Sequence, residues 1–224
     1  MKYPSGTPFA SLEARFRRRI RQRKQPVQSR SQATTEALLE ATLQVLVREG
    51  FSRLTTTRVA DRAGVSVGTL YQYFPDKRSL VTALKVRYFG LMVQAVDRAL
   101  AEAGGLDLEE RLRRALRALL SVKREHLELT KALREPMAEV SGHSFMREAS
   151  LQFVAVFVPH LSSALPGLAE VERRTALLVA ALEGAISHAV YESPSWLAEP
   201  WFLEDLVGLA AAYLRSARGR SASG

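Results

Sequence analysis

The amino-acid sequence predicts an all-α protein, with a small N-terminal helical bundle followed by a larger C-terminal one. After residue 30, apolar side chains recur at the three- and four-residue spacing of helices. No segment shows the strict alternation of a half-buried strand, and the sequence has no internal repeat. Proline, glycine and capping residues separate the periodic segments, as expected for helix ends. A chain of 224 residues can hold one large domain or two smaller ones.

Four helices are predicted in the N-terminal part. The first spans residues 31–48 and is followed by Gly50, which suits a left-handed helix terminus. Two short helices follow at residues 58–63 and 67–73, each preceded by a hydroxyl residue that can cap it. A long helix is predicted from Lys77 to about Ala101, after the break at Phe74-Pro75-Asp76.

The C-terminal part predicts five further helices, at about residues 108–119, 123–134, 145–158, 168–191 and 201–217. Asp107 is placed to cap the first of them. Pro159 is expected to end the third, because proline removes a helical hydrogen bond. The C-terminal part is therefore predicted to be helical throughout.

Charge is concentrated at the N-terminus. The net charge is +9, and the first 30 residues alone contain nine Lys and Arg against one Glu. Three prolines and few apolar residues predict a flexible arm over residues 1–30. Such an arm indicates an acidic partner, or only a solvated tail that raises non-specific affinity. Its cations are Arg15, Arg17, Arg18, Arg19, Arg21, Arg23 and Lys24.

Composition excludes several kinds of chemistry. The chain has no cysteine, so disulfides, thiolate nucleophiles and cysteine-bound metals are excluded. The four histidines have no metal-ligand spacing, and no metal or other cofactor is expected. No apolar run reaches the length of a membrane span, and no secretory signal is visible, so a cytoplasmic protein without membrane contact is expected.

Residues 56–77, TTRVADRAGVSVGTLYQYFPDK, have the features of a helix-turn-helix. Ala60 is small where two helices cross, Gly64 permits a turn with positive φ, and Ser66 can cap the second helix. Leu70 and Phe74 are expected to face inward. The outer surface is expected to carry Tyr71, Gln72 and Tyr73.

This segment resembles the DNA-binding domain of the TetR/AcrR family of bacterial transcription regulators. The resemblance covers about residues 31–90. It rests on Gly50-Phe51, Thr55-Thr56, Val59-Ala60, Ala63-Gly64-Val65-Ser66, Gly68-Thr69-Leu70-Tyr71, Tyr73-Phe74, Lys77 and Leu80. It implies a helix-turn-helix domain at 31–77 and an effector-binding and dimerisation domain at 78–224. It also implies a sequence-specific regulator, most simply a ligand-released homodimeric repressor, and not an enzyme.

The same resemblance implies roles for individual residues. Contacts to the DNA backbone are implied for Thr56, Tyr71, Tyr73 and Lys77. Contacts to base edges are implied for Thr57, Arg58, Val67, Gly68, Thr69 and Gln72, with Ser66 at the start of the second short helix. The partner would be double-stranded DNA with a palindromic operator, which matches the two-fold symmetry of a dimer. The basic arm would then follow phosphates or enter a minor groove.

The C-terminal helices carry two further candidate sites. Small and apolar residues predict a dimer interface, or else an ordinary monomer core, at Ala181, Leu182, Gly184, Ala185, Leu206, Leu209, Ala210 and Tyr213. Aromatic, Met and apolar residues predict either core or a pocket for a largely apolar effector. The pocket candidates are Tyr88, Met92, Leu129, Leu133, Met137, Phe145, Met146, Phe153, Phe157 and His188.

The sequence leaves three alternatives open. Residues 64–68 (GVSVG) fit the G-x-S-x-G pattern of a hydrolase nucleophile, but no strand is predicted before Ser66. A constitutive or architectural DNA binder without an effector would use mainly the basic arm. A helical enzyme or small-molecule carrier would have an incidental helix-turn-helix.

Overall fold

A computed structural model describes residues 29–136 and 142–221, and within these ranges the chain is helical without strands. The helices are α1 (Ser29–Glu49), α2 (Thr56–Ala63), α3 (Val67–Tyr73), α4 (Lys77–Glu102), α5 (Leu108–Glu125), α6 (Leu127–Ala132), α7 (Gly142–Ala164), α8 (Val171–Glu192) and α9 (Pro200–Ser221). A single helical turn spans Arg134–Pro136, and a 3-10 helix spans Pro194–Ala198. The all-α prediction is confirmed.

Two predicted helix boundaries are wrong. The predicted helix at 123–134 does not exist as one element, because α5 continues through Lys123 to Glu125 and α6 begins at Leu127, with His126 between them. Pro159 lies inside α7 and does not end it. Residue 155, whose carbonyl loses its helical donor, is exposed to water, while Phe157 and Leu161 are buried on either side of the proline. Burial of that apolar face outweighs the missing hydrogen bond.

The chain divides into two compact units. Unit 1 takes in the described residues up to Phe89 and those from Glu128 to Phe145. Unit 2 takes in Gly90–Leu127 and the described residues from Met146 onward. Helix α4 contributes to both units. This division by packing differs from the functional boundary predicted at residue 77, which stays a prediction.

The core of unit 1 joins α1 to the two short helices. Leu38 and Leu46 of α1 are almost fully buried, as are Val59 of α2 and Leu70 of α3. Apolar burial is the main force that holds short helices in place, since helices of seven or eight residues are unstable alone. The position of α2 and α3 therefore depends on α1.

A buried lysine ties α4 to the end of the helical turn at Pro136. Lys85 is only 1% exposed, and its amine donates a hydrogen bond of 2.9 Å to the carbonyl of Pro136. Burial lowers the pKa of Lys85 to about 8. One helical turn further on, the Tyr88 hydroxyl is hydrogen-bonded to that of Thr130, so α4 and α6 are joined within unit 1.

Unit 2 is held by contact between α5 and α9. Arg113 of α5 donates two hydrogen bonds to the carboxylate of Glu204 in α9, at 2.9 and 2.8 Å. These bonds lower the pKa of Glu204. Arg111 is buried and donates to the backbone carbonyls of Leu106 and His160. The arginines of α5 thus bind both a neighbouring helix and nearby backbone.

Over the described ranges, no helix is both long and apolar enough to cross a membrane. Nor does this part of the chain contain a cluster of three or more histidine and acidic side chains that could hold a metal ion.

The buried lysine predicts a specific pH dependence of stability. Between about pH 8 and 10.5, the unfolded chain holds a proton that Lys85 has released in the folded state, so the free energy of unfolding should rise with pH. The gain is about 3 kcal/mol across that window. Lys85→Met should lack it. Urea unfolding at several pH values tests this, and an identical pH slope for variant and parent protein would contradict it.

Candidate nucleic-acid interface

Four local features position α2, α3 and the turn between them. Thr55 caps α2, its hydroxyl accepting the backbone N–H of Arg58 at 3.2 Å. Gly64 ends α2 in the left-handed region, at φ +67°. Ser66 caps α3, its hydroxyl accepting the backbone N–H of Thr69 at 3.0 Å. Val65 closes the turn by donating its N–H to the carbonyl of Ala60 at 3.0 Å. Hydrogen bonding thus fixes where one helix ends and the next begins.

The inner side of the turn is apolar. Ala60 of α2 is fully buried, and so is Leu70 of α3, while Phe74 directly after α3 is 1% exposed. A residue as small as alanine allows the two helices to approach closely. The inward positions of Leu70 and Phe74 follow the prediction.

The opposite side of α3 is exposed together with the start of α2. Tyr71 is 44% exposed, and its hydroxyl lies 3.2 Å from the hydroxyl of Thr56. Gln72 is exposed beside it. This hydrogen bond connects the first residue of α2 with the outer face of α3. Of the other predicted contact residues, Thr57, Arg58, Ser66 and Gly68 are exposed and Thr56, Val67, Thr69 and Lys77 are half-buried.

Tyr73 is not at the outer surface, contrary to the prediction. Its side chain is only 8% exposed, because positions 70, 73 and 74 share the inner face of α3. Helical spacing in the sequence could have revealed this, since Leu70 and Tyr73 are three residues apart. A contact from Tyr73 to the DNA backbone stays a prediction, now without an exposed ring to support it.

Lys77 lies against Phe51. Its amine is 4.4 Å from the centre of the Phe51 ring and 3.5 Å from the Phe51 carbonyl oxygen. The ring attracts the cation and fixes the amine beside the start of α4. An ammonium group has three donors, so the same amine can also reach a phosphate. The contact between Lys77 and Phe51 was not predicted from the sequence, which implied only a contact from Lys77 to the DNA backbone.

Arg58 is paired within the chain. Its guanidinium forms an ion pair with Glu49 at the end of α1 and also donates to the carbonyl of Arg53 at 3.4 Å. Both side chains of the ion pair are partly exposed, so the pair is weak. Arg58 can therefore exchange Glu49 for a base edge at modest cost. Glu49 is a neighbour of the interface that sequence reasoning missed.

Residues 1–28 of the basic arm lie outside the described residues, and residues 29 and 30 are the first two of α1. All of the predicted contacts of the arm fall within residues 1–28: Arg15, Arg17, Arg18, Arg19, Arg21, Arg23 and Lys24.

The predicted effector residues are divided between the two units. Tyr88, Leu129, Leu133 and Phe145 are buried in unit 1, and Met92, Phe153 and Phe157 are buried in unit 2. Met137 and the side chain of Met146 lie outside the described residues. His188 is exposed, with its ring 5.4 Å from that of Trp196, and its place in an effector pocket stays a prediction. His188 lies one turn from exposed Gly184, on the outer face of α8.

Some of the predicted dimer residues are exposed and others are buried. Ala181, Gly184 and Leu209 are exposed, and Ala185 and Tyr213 are half-buried. Leu182, Leu206 and Ala210 are corrected: they are buried in the chain itself, because they face the interior of unit 2. Sequence reasoning missed Leu177, which is 59% exposed on the same side of α8 as Ala181 and Gly184.

Half-buried polar residues on α5, α7 and α8 form a further feature of unit 2. Burial lowers the pKa of Lys123 in α5, and the nearby charge of Glu183 in α8 opposes that shift. In α7, the side-chain carbonyl of Gln152 is buried and accepts no hydrogen bond from the part of the chain that the structure describes. Lys123 and Gln152 were not predicted. Lys123 lies on the same side of α5 as the buried Leu112 and Leu116. This helical spacing is the sequence signal that could have identified Lys123.

Comparison with known proteins assigns both the helix-turn-helix part and the C-terminal part of the chain to one family. Residues 38–84 match the sequence profile of the bacterial regulatory proteins of the tetR family. Residues 107–214 match the C-terminal domain of tetracycline repressor-like proteins. The chain belongs to the TetR family. Its members are DNA-binding transcription regulators and not enzymes. The serine of the G-x-S-x-G pattern is accordingly a helix cap in this TetR-family chain.

Curated relatives cover parts of this TetR-family chain. The transcriptional repressor KstR of Mycolicibacterium smegmatis is 43% identical over 68 residues, 30% of this chain and 33% of the relative. The nucleoid occlusion factor SlmA of Vibrio atlanticus is 33% identical over 114 residues, 50% of this chain and 54% of the relative. The chain thus matches between a third and about half of their lengths.

Solved structures share the fold of the TetR-family chain. A transcriptional regulator from Pseudomonas aeruginosa PAO1 is 23% identical, with a TM-score of 0.64 over 84% of this chain and 90% of the other. A regulator from Rhodococcus sp. RHA1 is also 23% identical, with a TM-score of 0.63 over 82% of this chain and 97% of the other. At such identities the likeness establishes the fold.

The turn predicts opposite effects for two glycine substitutions. A Cβ at Gly64 would meet no atom within 4 Å, so a substitution there causes no clash. Because Gly64 has a left-handed backbone, Gly64→Ala should still lose about 1 kcal/mol of stability from backbone strain. Gly68 is an ordinary helical residue, and Gly68→Ala should gain about 0.5–1 kcal/mol. Thermal unfolding of both variants measures the difference. Equal or reversed shifts in Tm would contradict the assignment of the turn.

Proposed function

We propose that this chain is a sequence-specific transcriptional repressor that binds DNA as a homodimer and is released by a small-molecule effector. The observation that carries the proposal is the exposed outer face of α3, held by the capped turn at Gly64 and Ser66. An α-helix presented in this way fits the major groove of DNA. The name of the relative KstR supports repression as the outcome of binding.

Contacts on this face divide into two kinds. Tyr71 and Thr56, joined by their hydroxyls, are suited to position the chain on phosphates, and Lys77 adds a cation. Gln72 is exposed on α3 and can bind adenine through two hydrogen bonds. Arg58 can read guanine after leaving Glu49. Of the two residues proposed to recognise bases, only Arg58 is charged.

A homodimer is supported by exposed apolar surface on α8 and α9. Leu177 and Leu209 are 59% and 52% exposed, and the exposed Ala181 and Gly184 lie on the same side of α8 as Leu177. Helices α8 and α9 contact each other within unit 2. Two copies of this pair can form a four-helix interface, in which small residues allow close approach. A two-fold dimer in turn fits a palindromic operator.

The effector is proposed to bind in unit 2. Lys123 and Glu183, which attract each other through charge, and the buried side-chain carbonyl of Gln152 supply polar groups on three half-buried residues of unit 2. This composition suits a largely apolar molecule that carries a hydrogen-bond donor. Because α4 contributes to both units, an effector that displaces it can favour a spacing of the two α3 helices that no longer fits DNA.

A second candidate is a constitutive DNA binder without an effector. The basic N-terminal residues and the match to a nucleoid occlusion factor over half of the chain favour it. It would bind DNA mainly through phosphates, with a steep salt dependence and little preference for sequence.

The two kinds of contact predict different results for substitutions on α3. Tyr71→Phe removes only a hydroxyl and should weaken binding to every DNA sequence alike, by about 1 kcal/mol. Gln72→Ala should lower the preference at particular base pairs by about 1–3 kcal/mol. Affinities for an operator obtained by selection from random DNA, and for its single-base variants, measure both effects. An equal loss on all sequences for Gln72→Ala would remove Gln72 from base recognition.

The proposed interface predicts a change of oligomeric state. Leu209→Arg places a charge on the exposed face of α9 and should raise the dimer dissociation constant at least about tenfold, since an unpaired buried charge is costly. Leu151→Arg is the matched control, because Leu151 is 53% exposed on α7. Light scattering coupled to size-exclusion chromatography measures the mass. A Leu209→Arg variant with the same mass profile as the parent would contradict the interface.

A further inference from the structure

A surface groove of about 620 Å³ lies in unit 1, beside the helix-turn-helix. Its apolar wall is formed by Leu46, Val47, Phe51 and Ala132. Val47 is 39% exposed, so an apolar side chain is open to water at this point. The volume is within the range of small-molecule sites in proteins. None of the predicted effector residues lines this groove.

The groove is also lined by charged residues. Lys131 and Arg134 both line it, against a single acidic residue, Glu128. Among the described residues, no ion pair engages Lys131. An apolar wall with an excess of positive charge suits a molecule that has an apolar body and one anionic group.

The wall of the groove continues directly into residues that support the DNA-binding face. Phe51 lines the groove, and its ring and carbonyl also hold the amine of Lys77. Gly50 lines the groove as well, and the residue before it, Glu49, pairs with Arg58. A molecule that contacts Gly50 and Phe51 therefore touches the segment that positions both cations.

We propose that this groove is a second ligand site, distinct from the proposed effector site in unit 2, and that it binds small organic anions such as aromatic carboxylates. Binding there weakens DNA binding, because the ligand adds negative charge near the phosphates and bears on Phe51, which holds Lys77. The effect on DNA rests on the function proposed above. The ligand site itself does not depend on it.

The absence of cysteine allows a test confined to the groove. Val47→Cys carries a thiol-reactive bimane fluorophore at the wall, and Leu151→Cys carries it at another exposed apolar position, in unit 2. The probe ligand is 2-naphthoate, and the neutral 2-naphthamide is its control. We expect a saturable change of emission with 2-naphthoate at position 47 alone, and binding of 2-naphthamide at least about fivefold weaker.

Charge reversal tests the role of the cation. Lys131→Glu should weaken binding of 2-naphthoate about fivefold, whereas Arg124→Glu, a charge reversal at an exposed residue of α5, should not. Calorimetry on unlabelled chains repeats the comparison without a dye in the groove. No saturable response at position 47 together with no calorimetric difference between Lys131→Glu and the parent would overturn the site.

DNA binding provides the final readout. At saturating 2-naphthoate, the dissociation constant for the selected operator should rise at least about fivefold in the parent protein, and Lys131→Glu should need about five times more ligand for the same rise. Ligand binding without any change in DNA affinity would overturn the coupling. If the chain bound no DNA at all, the proposed function would fail while the fluorescence and calorimetry results still decided whether the groove binds anions.

Discussion

The left-handed turn at Gly64 is the constraint on which the rest of the DNA-binding unit depends. It ends α2 and, with the cap at Ser66, sets the direction in which α3 begins. The direction is then fixed by burial of Ala60 and Leu70 on the inner side. Because the inner side of α3 is fixed in this way, its outer side keeps one orientation toward a partner. A helix of seven residues has no such stability alone.

Local features of this unit could be predicted from the sequence, and long-range contacts could not. The caps and the turn depend on residues within four positions of each other, so Gly64 and Ser66 identify them. The pairing of Arg58 with Glu49 and the contact of Lys77 with Phe51 depend on how α1 packs. Sequence periodicity does not give that packing. Tyr73 was a different kind of error, because its spacing from Leu70 already indicated the inner face.

In the C-terminal part, periodicity predicted helices but not which of their faces is exposed. Helices α8 and α9 are apolar over much of their surface, so Leu182 and Leu209 look alike in the sequence. The structure separates them: Leu182 is buried and Leu209 is exposed. Pro159 shows the same limit, since burial of its apolar neighbours carries α7 past a residue that usually ends helices. In each case tertiary packing, and not the local sequence, determines which face is buried and how far the helix extends.

Under the proposed function, the distribution of charge divides affinity and specificity between different parts of the chain. Most of the net charge lies in the first 30 residues, so the arm can supply affinity while the outer face of α3 supplies specificity. Selection of bound fragments from genomic DNA, with the full chain and with a chain lacking residues 1–28, tests this account most directly. It predicts the same inverted-repeat motif from both chains, with a smaller salt dependence for the shorter one. Fragments without a common motif, or a motif lost with the arm, would contradict it.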